Sequence, residues 1–143
     1  MKTVRNILKE KGSEVTTISP DATVFEALKL MSEKGIGAVI VTQGDSVVGI
    51  LSERDYARKV VLEGKSSKDS PVSEIMTNRV LYVRPEMSVE DCMAIMTEKH
   101  FRHLPVLDDG KLVGIISIGD VVKAVMEKKQ FIIDQLENYI YGN

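Results

Sequence analysis

Cysteine, histidine, net charge and long apolar runs are all scarce in this chain, and each scarcity removes a class of function. Cys92 is the only cysteine among the 143 residues, so neither an intrachain disulfide nor a multi-cysteine metal site can form. It falls in an apolar helical pattern, which reads as a small buried thiol. His100 and His103 are the only imidazoles. With no third His or Cys beside them they make no metal site, and no Ser-His-Asp or nucleophilic-cysteine arrangement presents itself, so no catalytic residue is assigned. The formal charge is −2 and basic residues are interleaved with acidic ones, which offers a nucleic-acid backbone no net attraction. No apolar run approaches the roughly 20 residues that span a bilayer. The opening MKTVRNILKEKG carries charges throughout, unlike a secretory signal. A cytoplasmic chain with no nucleic-acid or membrane partner is expected. What is present is a globular composition, 43% hydrophobic and 28% charged, apolar enough to offset the ordering entropy that keeps polar chains unfolded.

The chain is also a repeat. Sliding it on itself by 65 positions aligns Pro20 with Pro85, Met31 with Met96, Val41 with Val106, Gly49 with Gly114, Ser52 with Ser117 and Asp55 with Asp120. Residues 15–63 and 80–128 share thirteen identities in 49 ungapped pairs. Periodicity changes in the same order in both copies. Short β-prone runs (Val15 to Ile18, Val80 to Val83) end in Ser-Pro and Arg-Pro. Helical spacing follows, with Val24, Ala27, Leu28 and Met31 matched by Val89, Cys92, Met93 and Met96. Two apolar strands flank a polar turn, Ala38 to Val41 then Val47 to Leu51, and Leu104 to Leu107 then Leu112 to Ile116. A last helix begins at Ser52 or Ser117. The unit is β-α-β-β-α, and the fold class is α/β. One such unit alone would bury only about 60% of its unfolded surface, so pairing of the copies is expected. A short lead-in helix precedes each, Val4 to Leu8 and Val72 to Met76, at an offset of 68. Glu63 to Ser70 reads as a polar linker. The boundaries expected are 1–66 and 67–128, each a repeat with its lead-in helix, and 129–143 as a C-terminal helical extension.

Chemistry can reside where an apolar strand runs straight into a helix, at Gly49-Ile50-Leu51-Ser52-Glu53-Arg54-Asp55 and Gly114-Ile115-Ile116-Ser117-Ile118-Gly119-Asp120. Helix N-terminal amides favour an anion, a Ser hydroxyl can donate to it, and Asp can accept from ribose hydroxyls. The bland alternative is a helix capping box, S-x-x-D, and Thr23 with Glu26 and Ser88 with Asp91 repeat that spacing where no ligand is expected. The shared Gly, the apolar pair before the Ser and nearby cations favour the ligand reading. Arg102 and His103 precede the strand Leu104-Pro105-Val106, where the first copy has Gly37 and Ala38. The first copy instead has Arg54 inside its motif, where the second has Gly119, and Arg58 beyond it. Gly35-Ile36-Gly37 follows a helix and lacks the third glycine of a dinucleotide fingerprint, and Gly64-Lys65-Ser66 lacks the first glycine of a P-loop.

The doubled G-h-h-S-x-x-D signature and Arg102-His103-Leu104-Pro105-Val106 resemble the CBS domain, named after cystathionine β-synthase, over nearly the whole chain. Residues Leu51 to Ser67, the Val72 to Thr77 lead-in and Ser117 to Val122 are also similar to stand-alone CBS-pair proteins of bacteria and plant mitochondria. The resemblance implies a tandem CBS pair, or Bateman-type module: two units related by a pseudo-twofold axis, with two clefts, and assembly into a homodimer. It further implies an adenine nucleotide ligand, AMP first, with ATP, ADP or NAD as alternatives. Carried over, one cleft would use Ser117, Gly119 and Asp120 for ribose and phosphate, Arg102 and His103 for phosphate, and Thr17, Ile36 and Ala38 around the base. The second would use Ser52, Arg54 and Asp55, with Tyr82 and Phe101 nearer the base; Gly37-Ala38 departs from the pattern there. The function implied is a non-enzymatic sensor that signals to a regulated protein of unknown identity. The alternative is a ligand-independent interaction module, with the motifs acting only as caps.

Phe131, Ile132, Leu136 and Ile140 form an apolar stripe on a helix of its own beyond the second unit. It is expected to pack on the same domain or to meet a dimer mate or target protein.

Overall fold

The helix starts at Val24 and Val89 are held by side chains that satisfy free N–H groups of the first turn. In the computed structural model, which describes residues 2–141, the Glu26 amide donates to Thr23 Oγ1 at 3.1 Å and the Asp91 amide to Ser88 Oγ at 3.1 Å. Met1, Gly142 and Asn143, which fall within the expected ranges 1–66 and 129–143, lie outside the described residues. The chain runs α1 (Val4–Lys11), β1 (Thr17–Ile18), α2 (Val24–Lys34), β2 (Ala38–Gln43), β3 (Ser46–Ser52), α3 (Glu53–Tyr56) continued by a π-helical turn (Ala57–Val61), α4 (Val72–Ile75), α5 (Val89–Lys99), β4 (His103–Asp108), β5 (Lys111–Ser117) and α6 (Ile118–Tyr141). This is the mixed α/β order of a tandem repeat.

Residues Glu14–Leu81 form one compact unit; the segments before and after it form the other. In the first unit β1 pairs parallel with β2, and β2 pairs antiparallel with β3. Its core joins Val24, Ala27 and Met31 of α2 to Val39, Val41 and Leu51 of the sheet and to Val72 and Ile75 of α4. In the second unit β4 and β5 pair antiparallel. There Val89, Cys92 and Met96 of α5 meet Leu104, Val106 and Ile116, with Val4 and Ile7 of α1 and Val121 and Ala124 of α6. The repeat extends to irregularities: the β-ladder shifts register at Val41/Thr42 in one copy and at Val106/Leu107 in the other.

Packing and repeat boundaries differ at the lead-in helices. The Val4 and Arg5 amides donate to the Met87 and Pro85 carbonyls at 2.9 Å each, so α1 docks beside the second repeat. The matching Val72 and Ser73 amides donate to Ala22 and Pro20, at 2.8 and 3.0 Å, so α4 docks beside the first. Each lead-in helix completes the core next to the other copy's strands, although the sequence places it ahead of its own.

Three expectations change in detail. Val80 to Val83 forms no strand beyond a single parallel bridge, Val83 to Val106. The reason is Pro105: in the first copy its counterpart Ile40 donates its amide to the Thr16 carbonyl at 3.2 Å, and proline has no N–H to give. The polar segment Glu63 to Ser70 is more than a tether, because its Ser67 and Ser70 carbonyls accept the Phe25 and Val24 amides at 2.9 Å and so cap α2. The C-terminal extension is not a helix of its own. No Gly or Pro interrupts residues 120–141, so α6 runs unbroken from Ile118 to Tyr141.

Cys92 is completely buried, and its thiol is pushed up to about 11, first by that burial and then by the neighbouring Asp91 charge. A thiol-specific reagent at neutral pH is therefore expected to leave the native protein unlabelled and to modify one equivalent in denaturant; rapid native labelling would contradict the packing described.

Candidate functional site

The second copy gathers its chemistry where β4 begins and β5 ends. Antiparallel register sets His103 opposite Ser117, and the Ile118 amide donates to the Arg102 carbonyl at 2.8 Å. Arg102 is exposed and His103 half-buried. The strand therefore delivers both residues beside the start of α6, where Ser117, Gly119 and Asp120 follow. A methyl at Gly119 would meet only Ser117 Oγ, at 3.6 Å, so this helix mouth is open. The first copy reproduces the backbone but not the side chains. Ala38 faces Ser52, and the Glu53 amide donates to the Gly37 carbonyl at 3.0 Å. No cation stands at that strand start, while Arg54 and Arg58 are exposed on the following turns.

Both capping boxes close. The Asp120 amide donates to Ser117 Oγ at 3.2 Å, and the Ser117 amide to Asp120 Oδ2 at 2.8 Å. The Asp55 amide likewise donates to Ser52 Oγ at 3.2 Å, and Asp55 Oδ2 accepts from the Ser52 amide and hydroxyl at 3.0 Å each. Capping thus accounts for Ser and Asp in both motifs. The shared Gly also has a packing reason. A Cβ at Gly114 would lie 2.6 and 2.9 Å from the Leu8 methyls, and one at Gly49 would overlap the Met76 side chain and come 3.1 Å from the Thr77 carbonyl oxygen. Leu8 and Met76 are equivalent positions of the two lead-in segments. The motif glycine admits them, and it no longer argues for a ligand.

The two aspartates differ in what remains free for chemistry. Asp55 uses both oxygens: Oδ1 accepts from Thr77 Oγ1 at 3.3 Å and pairs with Lys59 Nζ at 3.3 Å, leaving the side chain 14% exposed. Asp120 makes its contacts among the described residues through Oδ2 alone, accepting from Lys11 Nζ at 2.8 Å as well as from Ser117, and is 24% exposed. Burial by itself would raise the Asp120 carboxyl, but the Lys11 and Ser117 hydrogen bonds outweigh it and hold the group below its ordinary value. It is an ionised acceptor with Oδ1 to offer. Lys11, Thr77 and Lys59 were missed from sequence. The 68-residue offset of the lead-in segments carried a signal for the first, since it sets Lys11 against another cation, Arg79.

The remaining expected residues divide by unit. Thr17 is exposed on β1, Ile36 is packed against the first core and Ala38 is buried at the start of β2. These share a unit with Ser52, Arg54 and Asp55. Tyr82 is exposed and Phe101 packs on the second core, in the unit that holds Arg102, His103, Ser117, Gly119 and Asp120. Among the described residues no cluster of three or more His, Cys, Asp or Glu could hold a metal ion.

The CBS domain family model matches residues 4–62 and 72–127, both repeats with their lead-in helices. The chain belongs to the CBS domain family. CBS pairs are regulatory modules. A mitochondrial CBS domain-containing protein of Arabidopsis thaliana, CBSX3, is 37% identical over 98% of this chain and 72% of its own length. A solved CBS-domain protein of Burkholderia ambifaria is 56% identical, with a TM-score of 0.86 over 88% of this chain and 95% of that one. The CBS domain pair of protein MJ0100, solved with 5′-methylthioadenosine and S-adenosyl-L-methionine, shares the fold at 24% identity, with a TM-score of 0.79 over 90% of this chain and 98% of that one. No helix among the described residues is long and apolar enough to cross a membrane.

Proposed function

We propose that this CBS pair is a non-enzymatic sensor of an adenosine-containing ligand, with AMP the first candidate and ATP, ADP or NAD the alternatives. The observation that carries the reading is the convergence of Arg102 and His103 on the Ser117–Asp120 helix start through strand register. Arg102 and His103 would take phosphate, Ser117 and the Gly119 backbone the same anion, and Asp120 Oδ1 a ribose hydroxyl. 5′-Methylthioadenosine and S-adenosyl-L-methionine, which share the adenosine but carry no phosphate, occupy the same fold in MJ0100. Thr17, Ile36 and Ala38 enter as base contacts by family resemblance alone, as do Ser52, Arg54, Asp55, Tyr82 and Phe101 for a second, weaker site. The test is thermal melting with AMP, ADP, ATP, NAD and S-adenosyl-L-methionine in turn; no shift with any of them would sink the reading.

A second reading, a ligand-independent interaction module, is favoured by the structural work already assigned to Ser, Asp and Gly in both motifs. It also draws on α6, where Phe131, Leu136, Tyr139 and Ile140 are 63%, 57%, 88% and 70% exposed. A stripe of this size on one helix is a contact for something. We assign it to a homodimer mate or to the regulated protein. A chain ending at Lys128 should keep its ligand response and, for the homodimer, sediment as a monomer; an unchanged sedimentation coefficient per mass would move the stripe to the regulated protein.

A further inference from the structure

The end of α1 supplies a cation to a site that the sequence motifs place elsewhere. Lys11 Nζ lies 2.8 Å from Asp120 Oδ2 and donates to the Ile115 carbonyl oxygen at 3.0 Å. Two anchors fix the ammonium, one on the strand that precedes the motif and one on the motif carboxylate. A cavity of about 80 Å³ opens beside them, lined by Ile7, Glu10, Lys11, Asp120, Lys123 and Ala124. We infer that Lys11 is a positioning residue for ligand: it holds Asp120 by Oδ2 so that Oδ1 is presented, ionised and in one orientation, to a ribose hydroxyl. This rests on the ligand reading above and adds a residue outside both G-h-h-S-x-x-D motifs.

The geometry gives the reason. A carboxylate bound at one oxygen by the Ser117 amide alone can still swivel about its terminal bond. A second, charge-assisted bond to the same oxygen removes that freedom and favours the ionised form. The titratable groups around the cavity beside Asp120 are Glu10 and Lys11 of α1 and Lys123 one turn along α6, while Arg102 precedes and His103 opens β4, with His103 opposite Ser117. Lys11 hydrogen-bonds the carboxylate. Its bland role is a cation in the last turn of α1, favourable to the helix dipole and tied to β5. That role would change melting temperature but leave the affinity for AMP as it is.

The test uses the full chain as wild type, Lys11→Met and Lys11→Arg, with AMP binding followed calorimetrically from neutral pH into acid. Carboxyl NMR of Asp120 in ligand-free protein is the second readout. Lys11→Met should bind AMP about tenfold more weakly, the loss of one charge-assisted bond. Its acid limit of binding and its Asp120 titration should both rise, because the Lys11 hydrogen bond and charge no longer offset burial and only the Ser117 hydrogen bonds remain. Lys11→Arg should restore both. Wild-type affinity in Lys11→Met would overturn the inference, whatever the Asp120 titration does, while leaving the ligand reading intact. A wild type that binds none of the adenosine ligands ends both, and an Asp120 titration unmoved in Lys11→Met ends the positioning role whatever binds. Ligand-free melts separate either result from misfolding.

Discussion

Replacing Asp120 with Ala is expected to remove most of the thermal stabilisation that a saturating adenosine ligand gives. A ligand at a hundred times its Kd adds about 2.7 kcal/mol, roughly 5 to 10 °C for a chain of this size. The ligand-free variant should itself melt lower, because the loss of a capping interaction costs about 1 kcal/mol. The two effects are separable: one is the starting temperature, the other the increment. Asp55→Ala is the internal control. It breaks the same kind of box, but both Asp55 oxygens are already occupied by Ser52, Thr77 and Lys59. It should lower the starting temperature and keep most of the increment. If Asp120→Ala keeps its full increment, the second motif is a cap and nothing more, and the ligand is held by other residues.

The second large effect concerns the motif glycines. Gly49→Ala should destabilise the protein by about 2 to 3 kcal/mol, the upper part of the range of roughly 1 to 3 kcal/mol for forcing a methyl into a filled core. The methyl would overlap Met76 and approach the Thr77 carbonyl, and Thr77 is held in turn: its amide donates to the Ile50 carbonyl at 2.9 Å, and the Ile50 amide donates back at 3.0 Å. A backbone atom pinned on both sides has little room to move. Gly114→Ala meets only the ends of the Leu8 side chain, which can rotate, and should cost about 1 kcal/mol. The denaturant midpoints of the two variants check this ordering. Equal and negligible losses would return the shared glycine to the ligand argument.

The 65-residue repeat made the element order legible because the same change of periodicity occurs twice, each occurrence supporting the other. Capping residues, strands and the continuation into a last helix could be read locally, since each depends on neighbours within four residues. The missed first strand of the second copy was in principle readable from Pro105, but only once Ile40 was known to donate to Thr16 across the ladder. The helix break expected after Lys128 came from treating the apolar stripe as a separate element, although no Gly or Pro marks a stop there. For the site, Arg102, His103, Ser117, Gly119 and Asp120 were found from their types and order. Lys11 was not, because it lies more than a hundred residues from Asp120 along the chain.

By itself, then, the sequence determined the repeat, the α/β class, the family, the capping residues and the inequality of Arg102-His103 with Gly37-Ala38. These are properties of short segments and of their self-similarity. Tertiary structure alone decided that each lead-in helix completes the core beside the other copy, that Gly49 and Gly114 exist to admit Met76 and Leu8, and that Lys11 reaches Asp120. The physical reason is common to all three. A helix of one or two turns has no stable place of its own in water and takes the position where its apolar side chains and free amides find partners. Those partners, the Pro85 and Met87 carbonyls for α1 and the Pro20 and Ala22 carbonyls for α4, come together only when the rest of each unit has folded.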